Sequence, residues 1–167
     1  MALPEFNPAK ILRDLVAHDV DFVLIGGLAA ISHGSPYLTQ DVDITPSVTM
    51  GNLAKLSAAL TDLEARIRTE GVDGGLPFGH DAESLAATSV WNLTTPYGDL
   101  DISLQPSGTE GFPDLARQAT AVDAFGVTIK IAALADIIRS KQAADREKDR
   151  LVLPVLREIL SRRLDEK

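Results

Sequence analysis

The chain has 167 residues, enough for one domain, or one with a helical appendage, that buries roughly two-thirds of its unfolded surface. It contains no cysteine, which excludes disulfides and thiolate metal sites. The N-terminus lacks the apolar segment of a signal peptide, and no apolar run approaches the roughly 20 residues of a membrane span, so we expect a soluble cytoplasmic protein that does not bind membranes.

The charge is distributed unevenly along the chain. Residues 1–128 carry 6 Lys and Arg against 17 Asp and Glu, whereas residues 129–167 carry 10 against 7. The net charge of -8 argues against a general nucleic-acid coat, but the basic C-terminal quarter is able to bind one phosphate-rich ligand locally. The alternative is a solvated helical face with no binding role.

Apolar periodicity and turn residues predict alternating helices and strands in the first part of the chain. The predicted elements are, in order, a helix starting at Asn7 and Pro8, a strand over 21–27, a short helix over 28–34, a strand over 41–45 and a helix over 49–64. An N-cap at Asn7 with apolar residues at helical spacing supports the first helix, and leucines on one side support the helix over 49–64.

The second part is predicted to contain a hairpin and to end in helices. The predicted elements are a loop over 71–79, hairpin strands over 89–95 and 99–104, a short helix over 109–119, a strand over 127–132, and helices over 133–144 and 147–164, with Pro154 kinking or restarting the last. This order predicts an α/β or α+β domain, with residues 1–130 as the core and 131–167 as C-terminal helices of the same compact unit.

Two carboxylates interrupt the second apolar strand. Asp41 and Asp43 are two residues apart, so in a strand they project from one face, about 6.5 Å apart along it. Ionised carboxylates at that spacing repel each other and lose hydration unless a cation binds between them. Mg²⁺ is the natural cation, because it prefers oxygen ligands and is held by one or two carboxylates together with substrate phosphates.

The hairpin repeats the alternation with Asp99 and Asp101. A third carboxylate on a neighbouring strand suits a two-metal site, in which ions about 3.5–4 Å apart hold the attacking and leaving oxygens. We favour Asp101, because it lies deeper in the apolar strand, whereas Asp99 adjoins the turn.

Gly26 and Gly27 lie at a strand-to-helix turn, where a backbone without side chains can approach a phosphate; a plain turn is the alternative.

Together these motifs resemble the nucleotidyltransferase fold shared with DNA polymerase beta, which is marked by a Gly-Gly pair, a spacer, Asp-x-Asp and a later third Asp. Residues 26–44, 95–103 and 134–156 resemble, more narrowly, the AbiEii and MenT-like nucleotidyltransferase toxins of bacterial toxin–antitoxin and phage-defence systems. The resemblance implies a small mixed sheet flanked by helices, with a helical C-terminal part. It also implies Mg²⁺- or Mn²⁺-dependent transfer of a nucleotide from an NTP, with pyrophosphate leaving.

The resemblance also assigns roles to residues that match the family motifs. The assigned residues are Gly26 and Gly27 for the triphosphate, Asp41, Asp43 and Asp101 for catalysis and metal binding, Lys141 and Asp149 of the C-terminal motif for catalysis, and Lys141 with Arg146 for the nucleotide. A lysine aimed at the β- and γ-phosphates offsets charge that builds on the leaving group. For Lys141 and Arg146 the alternative is an exposed helix charge.

Three further residues near the motifs carry separate expectations. Relatives often have Arg where this chain has Tyr37, so a cationic contact is missing or supplied elsewhere. His33 is interpreted as a helix cap or packing group rather than a base. Thr39 lies two residues before Asp41, and the resemblance implies that phosphorylation at this position, promoted by an antitoxin, silences the enzyme. A β-branched residue that starts the strand is the alternative.

The leading hypothesis is therefore a toxin-like enzyme that transfers a nucleotide to RNA, with tRNA the acceptor that the resemblance implies and a cognate antitoxin as partner. The first alternative is the same chemistry on a small molecule, such as an antibiotic, or on a protein hydroxyl. The second is a non-catalytic antitoxin-type module of the same fold. A degenerate module would be expected to lose acidic residues, and here all the motif positions are filled.

Overall fold

The computed structural model describes residues 5–166, which form a mixed eight-stranded sheet flanked by seven helices. The helices are α1 (Pro8–Ala17), α2 (Gly26–Ser32), α3 (Met50–Asp62), α4 (Ala82–Ala86), α5 (Phe112–Gln118), α6 (Leu134–Ala144) and α7 (Glu147–Asp165). The strands are β1 (Phe22–Ile25), β2 (Asp41–Pro46), β3 (Arg66–Thr69), β4 (Val72–Leu76), β5 (Val90–Thr95), β6 (Gly98–Ser103), β7 (Thr120–Ala124) and β8 (Val127–Ile131). Their order in the sheet is β4-β3-β5-β6-β2-β1-β8-β7, which confirms the predicted mixed α/β class.

Local signals at the helix starts act as the sequence predicted. Asn7 caps α1, since its side-chain oxygen accepts a hydrogen bond from the Lys10 backbone N–H at 3.2 Å, and Pro8 occupies the first helical position. Thr49 caps α3 in the same way, with its hydroxyl accepting from the Asn52 N–H at 3.2 Å. The predicted start of α1 and the predicted bounds of α3 are therefore close to the observed ones.

The central strands bring the two acidic motifs side by side. β2 pairs antiparallel with β1 and parallel with β6, and this register sets Asp41 beside Asp99 and Asp43 beside Asp101. The alternate residues, such as Val42, point to the opposite face, where they are buried with leucines of α1 and α3. The apolar positions thus anchor the strands, and the carboxylates all project from the other face.

The hairpin of β3 and β4 corrects the predicted loop over 71–79. Residues Val72–Leu76 pair with β3, which in turn pairs with β5. Gly74 and Gly75 have φ of +77° and +73°, and a Cβ at Gly75 would collide with the carbonyl oxygen of Ile67. A Gly-rich edge strand lacks the apolar alternation that identifies strands, so β4 was not predicted. The elements β3, α4 and β7 were not predicted either.

The C-terminal helices form a corner against the sheet. α6 ends at Asp145, whose φ of +51° lies in the left-handed region and lets the chain reverse into α7. α7 is one helix from Glu147 to Asp165, so the predicted restart at Pro154 is wrong. None of the helices in residues 5–166 combines the length and apolar composition needed to cross a membrane.

Candidate active site

Three carboxylates meet on the open face of the sheet. Asp41 and Asp43 of β2 and Asp101 of β6 each offer an oxygen, and these oxygens all lie within 4.8 Å of one another. Strand alternation places each carboxylate on this face, and the parallel pairing of β2 with β6 brings Asp43 and Asp101 into register. The carboxylates form the floor of a cavity of about 850 Å³.

The electrostatics of the cluster are most unfavourable at Asp43. The pKa of Asp43 is raised to about 7, with burial as the largest cause and the charges of Asp41 and Asp101 next. Lys148 and Lys141 act in the opposite direction but do not compensate. The Asp43 carboxyl therefore holds its proton near neutral pH when no cation is bound.

Asp41 and Asp101 behave as a pair. The pKa of Asp101 is raised to about 6, first by burial and then by its hydrogen bond with Asp41, while the Arg68 guanidinium opposes both. Burial also disfavours the charge of Asp41, but hydrogen bonds from Thr39 and Asp101 hold the pKa of Asp41 below its usual value. In the metal-free site Asp41 is thus the more acidic member of this pair of carboxyls.

Arg68 of β3 is a site residue that the sequence analysis missed. Its guanidinium lies 2.8 Å from Asp101 Oδ1 and 3.2 Å from Asp99 Oδ2. Asp99 is therefore an ion-pair partner at the margin of the cluster, whereas Asp101 belongs to it. The alternating Arg-Ile-Arg of Arg66, Ile67 and Arg68 was the available signal, because it predicts a strand with both arginines on one face.

The two glycines lie directly against the site. Gly26 has a φ of +70°, and a Cβ there would collide with the Asp43 carboxylate, so the close approach of the carboxylate requires glycine. A Cβ at Gly27 would lie 3.0 Å from the Thr39 side chain. Thr39 precedes β2, and its hydroxyl donates a hydrogen bond of 2.6 Å to Asp41 Oδ1. The loop before β2 therefore packs on the start of α2 beside the carboxylates.

Basic residues from the corner of α6 and α7 form the opposite wall. Lys141 lines the cavity with a side chain only 16% exposed, so the alternative of an exposed helix charge is wrong for it. Arg146 also lines the cavity but is 56% exposed. Lys148, which the sequence did not single out, also lines the cavity, and its charge acts to lower the pKa of both Asp41 and Asp43.

Asp149 supports this wall from beneath. Its side chain is fully buried and accepts hydrogen bonds from the Arg146 backbone N–H at 3.1 Å and the Arg146 Nε at 2.7 Å. Lys141 Nζ lies 3.7 Å from its other oxygen. Although burial acts against the charge, these partners hold the pKa of Asp149 below its usual value. Asp149 thus orients two cations and does not itself line the cavity.

His33 and Tyr37 lie at the margins of the site. The His33 ring bonds the Ala132 carbonyl oxygen at 2.8 Å and contacts Arg163 at 2.9 Å, and burial lowers its pKa. It caps the end of α2, in agreement with the predicted structural role. Tyr37 lines the cavity and is 48% exposed, and the cations that line the cavity with it are Arg68, Lys141, Arg146 and Lys148.

The cluster has the chemistry of a magnesium site. Its ligands are carboxylate oxygens, which Mg²⁺ and Mn²⁺ prefer, and they lie close enough for a shared ion. Burial, and after it the mutual repulsion of the carboxylates, raises the pKa of Asp43 and Asp101. A divalent cation would relieve the repulsion, so the residues fit the predicted metal.

The fold is shared with solved nucleotidyltransferases. LnuA, a lincosamide antibiotic adenylyltransferase solved with lincomycin bound, matches with a TM-score of 0.60 and 16% identity over 93% of this chain and 99% of its own. ANT(2'')-Ia, solved in complex with adenylyl-2''-tobramycin, matches with a TM-score of 0.53 and 17% identity over 90% of this chain and 86% of its own. A candidate nucleotidyltransferase from Thermotoga maritima matches with a TM-score of 0.50 and 17% identity over 96% and 91%.

These matches establish the nucleotidyltransferase fold that the motifs predicted, over nearly the full length of this chain and of the relatives. No protein-family model matches the sequence, and no curated protein sequence is significantly similar to it. The narrower toxin group named by the resemblance stays a prediction.

Proposed function

We propose that this protein is a metal-dependent nucleotidyltransferase that moves a nucleotide from an NTP to a hydroxyl group and releases pyrophosphate. One observation carries the proposal: the carboxylates of Asp41, Asp43 and Asp101 face the cations Lys141 and Lys148 across one cavity. Transfer from an NTP needs both features, because carboxylates must hold a metal at the reacting α-phosphate and positive charge must lie next to the departing pyrophosphate.

Each side of the cavity has a distinct part in the proposed reaction. Asp41, Asp43 and Asp101 would hold Mg²⁺ or Mn²⁺, which supplies charge neutralisation at the α-phosphate when bound. Lys141 and Arg146 bind the β- and γ-phosphates, and their positive charge favours departure of pyrophosphate. The acceptor oxygen bonds to the α-phosphorus, the bond from that phosphorus to the bridging oxygen breaks, and Asp101 accepts the hydroxyl proton.

Binding of the nucleotide donor can be tested without knowledge of the acceptor. The experiment is calorimetric titration with NTP analogues that carry a methylene between the α- and β-phosphates. We expect at least one analogue to bind in the presence of Mg²⁺ and not in EDTA. Lys141→Ala should weaken binding, whereas Lys55→Ala, on an exposed lysine paired with Asp19, should not. Absence of metal-dependent binding by every analogue would overturn the proposal and favour a non-catalytic module.

Incubation with each α-labelled NTP, Mg²⁺ and separate acceptors tests the transfer half. The acceptors are total RNA, tRNA, a protein extract, lincomycin and tobramycin, the last two because they occur with the solved relatives. Transfer to tRNA, a toxin role and a cognate antitoxin partner remain predictions of the sequence resemblance. The class of molecule that carries the label decides among them.

Control by phosphorylation at Thr39 is a second proposal about the same site. The Thr39 hydroxyl lies 2.6 Å from Asp41 Oδ1, so a phosphate there would place about -1.5 to -2 charge beside the metal ligands and would repel a triphosphate. Thr39→Glu is expected to be inactive and Thr39→Val active. Intact-mass spectrometry of protein silenced by its antitoxin should show an added phosphoryl group; unmodified protein would point to another mode of inhibition.

A further inference from the structure

Four exposed apolar side chains surround the cavity that holds the carboxylates. Leu38 is 91% exposed, Leu151 67%, and Tyr37 and Val90 48% each, and all four line this cavity. We refer to them as the apolar rim. Single exposed leucines are common on protein surfaces, but apolar residues from a loop, a strand and a helix that converge on one site mark a binding surface.

The cavity must hold two substrates if the protein transfers nucleotides. The wall formed by α6 and α7 contains Lys141, Arg146 and Lys148 and suits the triphosphate. The sheet side offers Asn92 and Ser103, which line the cavity beside Asp101, with Val90 at the start of β5. The surface left for an acceptor is this sheet side together with the exposed apolar residues of the loop before β2 and of α7. A few polar groups stand there among apolar ones, as is usual for sites that bind small molecules.

The charges on the sheet side do not suit a polyanion. Among residues 5–166, the basic residue that lines this side is Arg68, and its guanidinium is already paired with Asp99 and Asp101 at 3.2 Å and 2.8 Å. RNA binding requires several Lys or Arg to neutralise phosphates. A phosphate backbone on this side would instead meet the carboxylates.

We propose that the acceptor is a small uncharged or cationic molecule that has an apolar face and a hydroxyl group. Its apolar face packs on the apolar rim, its polar edge meets Asn92 and Ser103, and its hydroxyl oxygen attacks the α-phosphorus as the proton passes to Asp101 and pyrophosphate leaves. This inference rests on the proposed nucleotidyl transfer and names the chemical class of its second substrate.

Methyl NMR of the full chain with three probes tests the inference. Octyl β-glucoside below its micellar concentration and methyl β-glucoside share the same hydroxyls and differ in their apolar part, and tRNA serves as the polyanion. We expect octyl β-glucoside to shift the methyl signals of Leu38, Val90 and Leu151 and to bind at least about tenfold more tightly than methyl β-glucoside. We expect tRNA to leave these methyl signals unchanged.

Two leucines of α7 provide a matched pair of variants. Leu151→Ser removes a rim residue, whereas Leu164→Ser changes a leucine that is 60% exposed on the same helix and does not line the cavity. Leu38→Ser and Leu151→Ser should each weaken octyl β-glucoside binding several-fold, up to about tenfold, and Leu164→Ser should leave it unchanged. Equal effects of Leu151→Ser and Leu164→Ser would overturn the inference.

Two further results would overturn the inference about the acceptor. In one, the methyl signals of the apolar rim shift with tRNA but not with octyl β-glucoside; in the other, they shift with none of the probes. Titration of the same samples with the NTP analogues keeps this test separate from the proposed function. Analogue binding without binding at the rim refutes the acceptor class alone, whereas absence of analogue binding refutes the nucleotidyl transfer.

Discussion

Replacing Asp43 by Asn is expected to stabilise the metal-free protein, by an amount that grows with pH. Burial, followed by the charges of Asp41 and Asp101, raises the pKa of Asp43 from 3.8 to about 7. A carboxyl whose pKa is higher in the folded than in the unfolded chain stabilises the fold below the unfolded value, and this contribution is lost as the pH rises through the folded value. Between about pH 4 and pH 7 Asp43 ionises in the unfolded chain but not in the folded one, which weakens the wild-type fold, whereas Asn ionises in neither state.

The size of the stabilisation by Asp43→Asn follows from the difference between the pKa values of Asp43 in the unfolded and folded chains. They differ by about three pKa units, and each unit corresponds to about 1.36 kcal/mol. If Asn packs as the protonated carboxyl does, the free energy of unfolding of Asp43→Asn should exceed that of the wild type by about 4 kcal/mol at pH 8 and about 2 kcal/mol at pH 5. A gain of this size is a large part of the usual stability of a domain.

Urea unfolding in EDTA at pH 5 and pH 8, followed by the fluorescence of Trp91, measures both values, because Trp91 is the single tryptophan of the chain. Asp99→Asn, on the same sheet face but outside the cluster, loses an ion pair with Arg68 and should be no more stable than the wild type. Excess Mg²⁺ at pH 8 should narrow the gap, since an ion that binds the folded wild type stabilises it. An Asp43→Asn variant no more stable than the wild type at pH 8, or an equal difference at both pH values, would refute the reasoning.

Three other outcomes are expected. Asp101→Asn should slow transfer far more than Asp99→Asn, because only the former belongs to the carboxylate cluster; similar losses in steady-state assays would count against the assignment. Lys141→Ala should raise the KM for NTP or lower kcat, while Lys55→Ala, at a surface position, should change stability by less than about 0.5 kcal/mol and leave both constants unchanged. Gly26→Ala should destabilise the fold in thermal unfolding and abolish metal-dependent NTP binding, since its φ is +70° and its Cβ would displace a metal ligand; a stable, binding-competent variant would contradict this.

The sequence by itself determined the local elements that carry the site. Caps and apolar periodicity predicted α1, α3, β2 and the hairpin of β5 and β6, because these signals act over a few residues. Alternation along a strand placed Asp41 and Asp43 on one face, and the depth of Asp101 in its apolar strand separated it from Asp99. The nucleotidyltransferase fold was accessible for the same reason, since its motifs are short and lie at the ends of strongly patterned elements.

Only the tertiary structure decided which side chains meet across the cavity. Arg68 reaches Asp101, 33 residues away in sequence, because β3 pairs with β5 and β5 with β6. Asp149 is fully buried and pairs with Lys141 and Arg146 instead of lining the cavity. Its burial depends on how α7 packs after the turn at Asp145. Strand register and the packing of α6 against α7 depend on contacts between residues that are distant in sequence. These contacts form only when the whole sheet assembles, so no local sequence pattern predicts them.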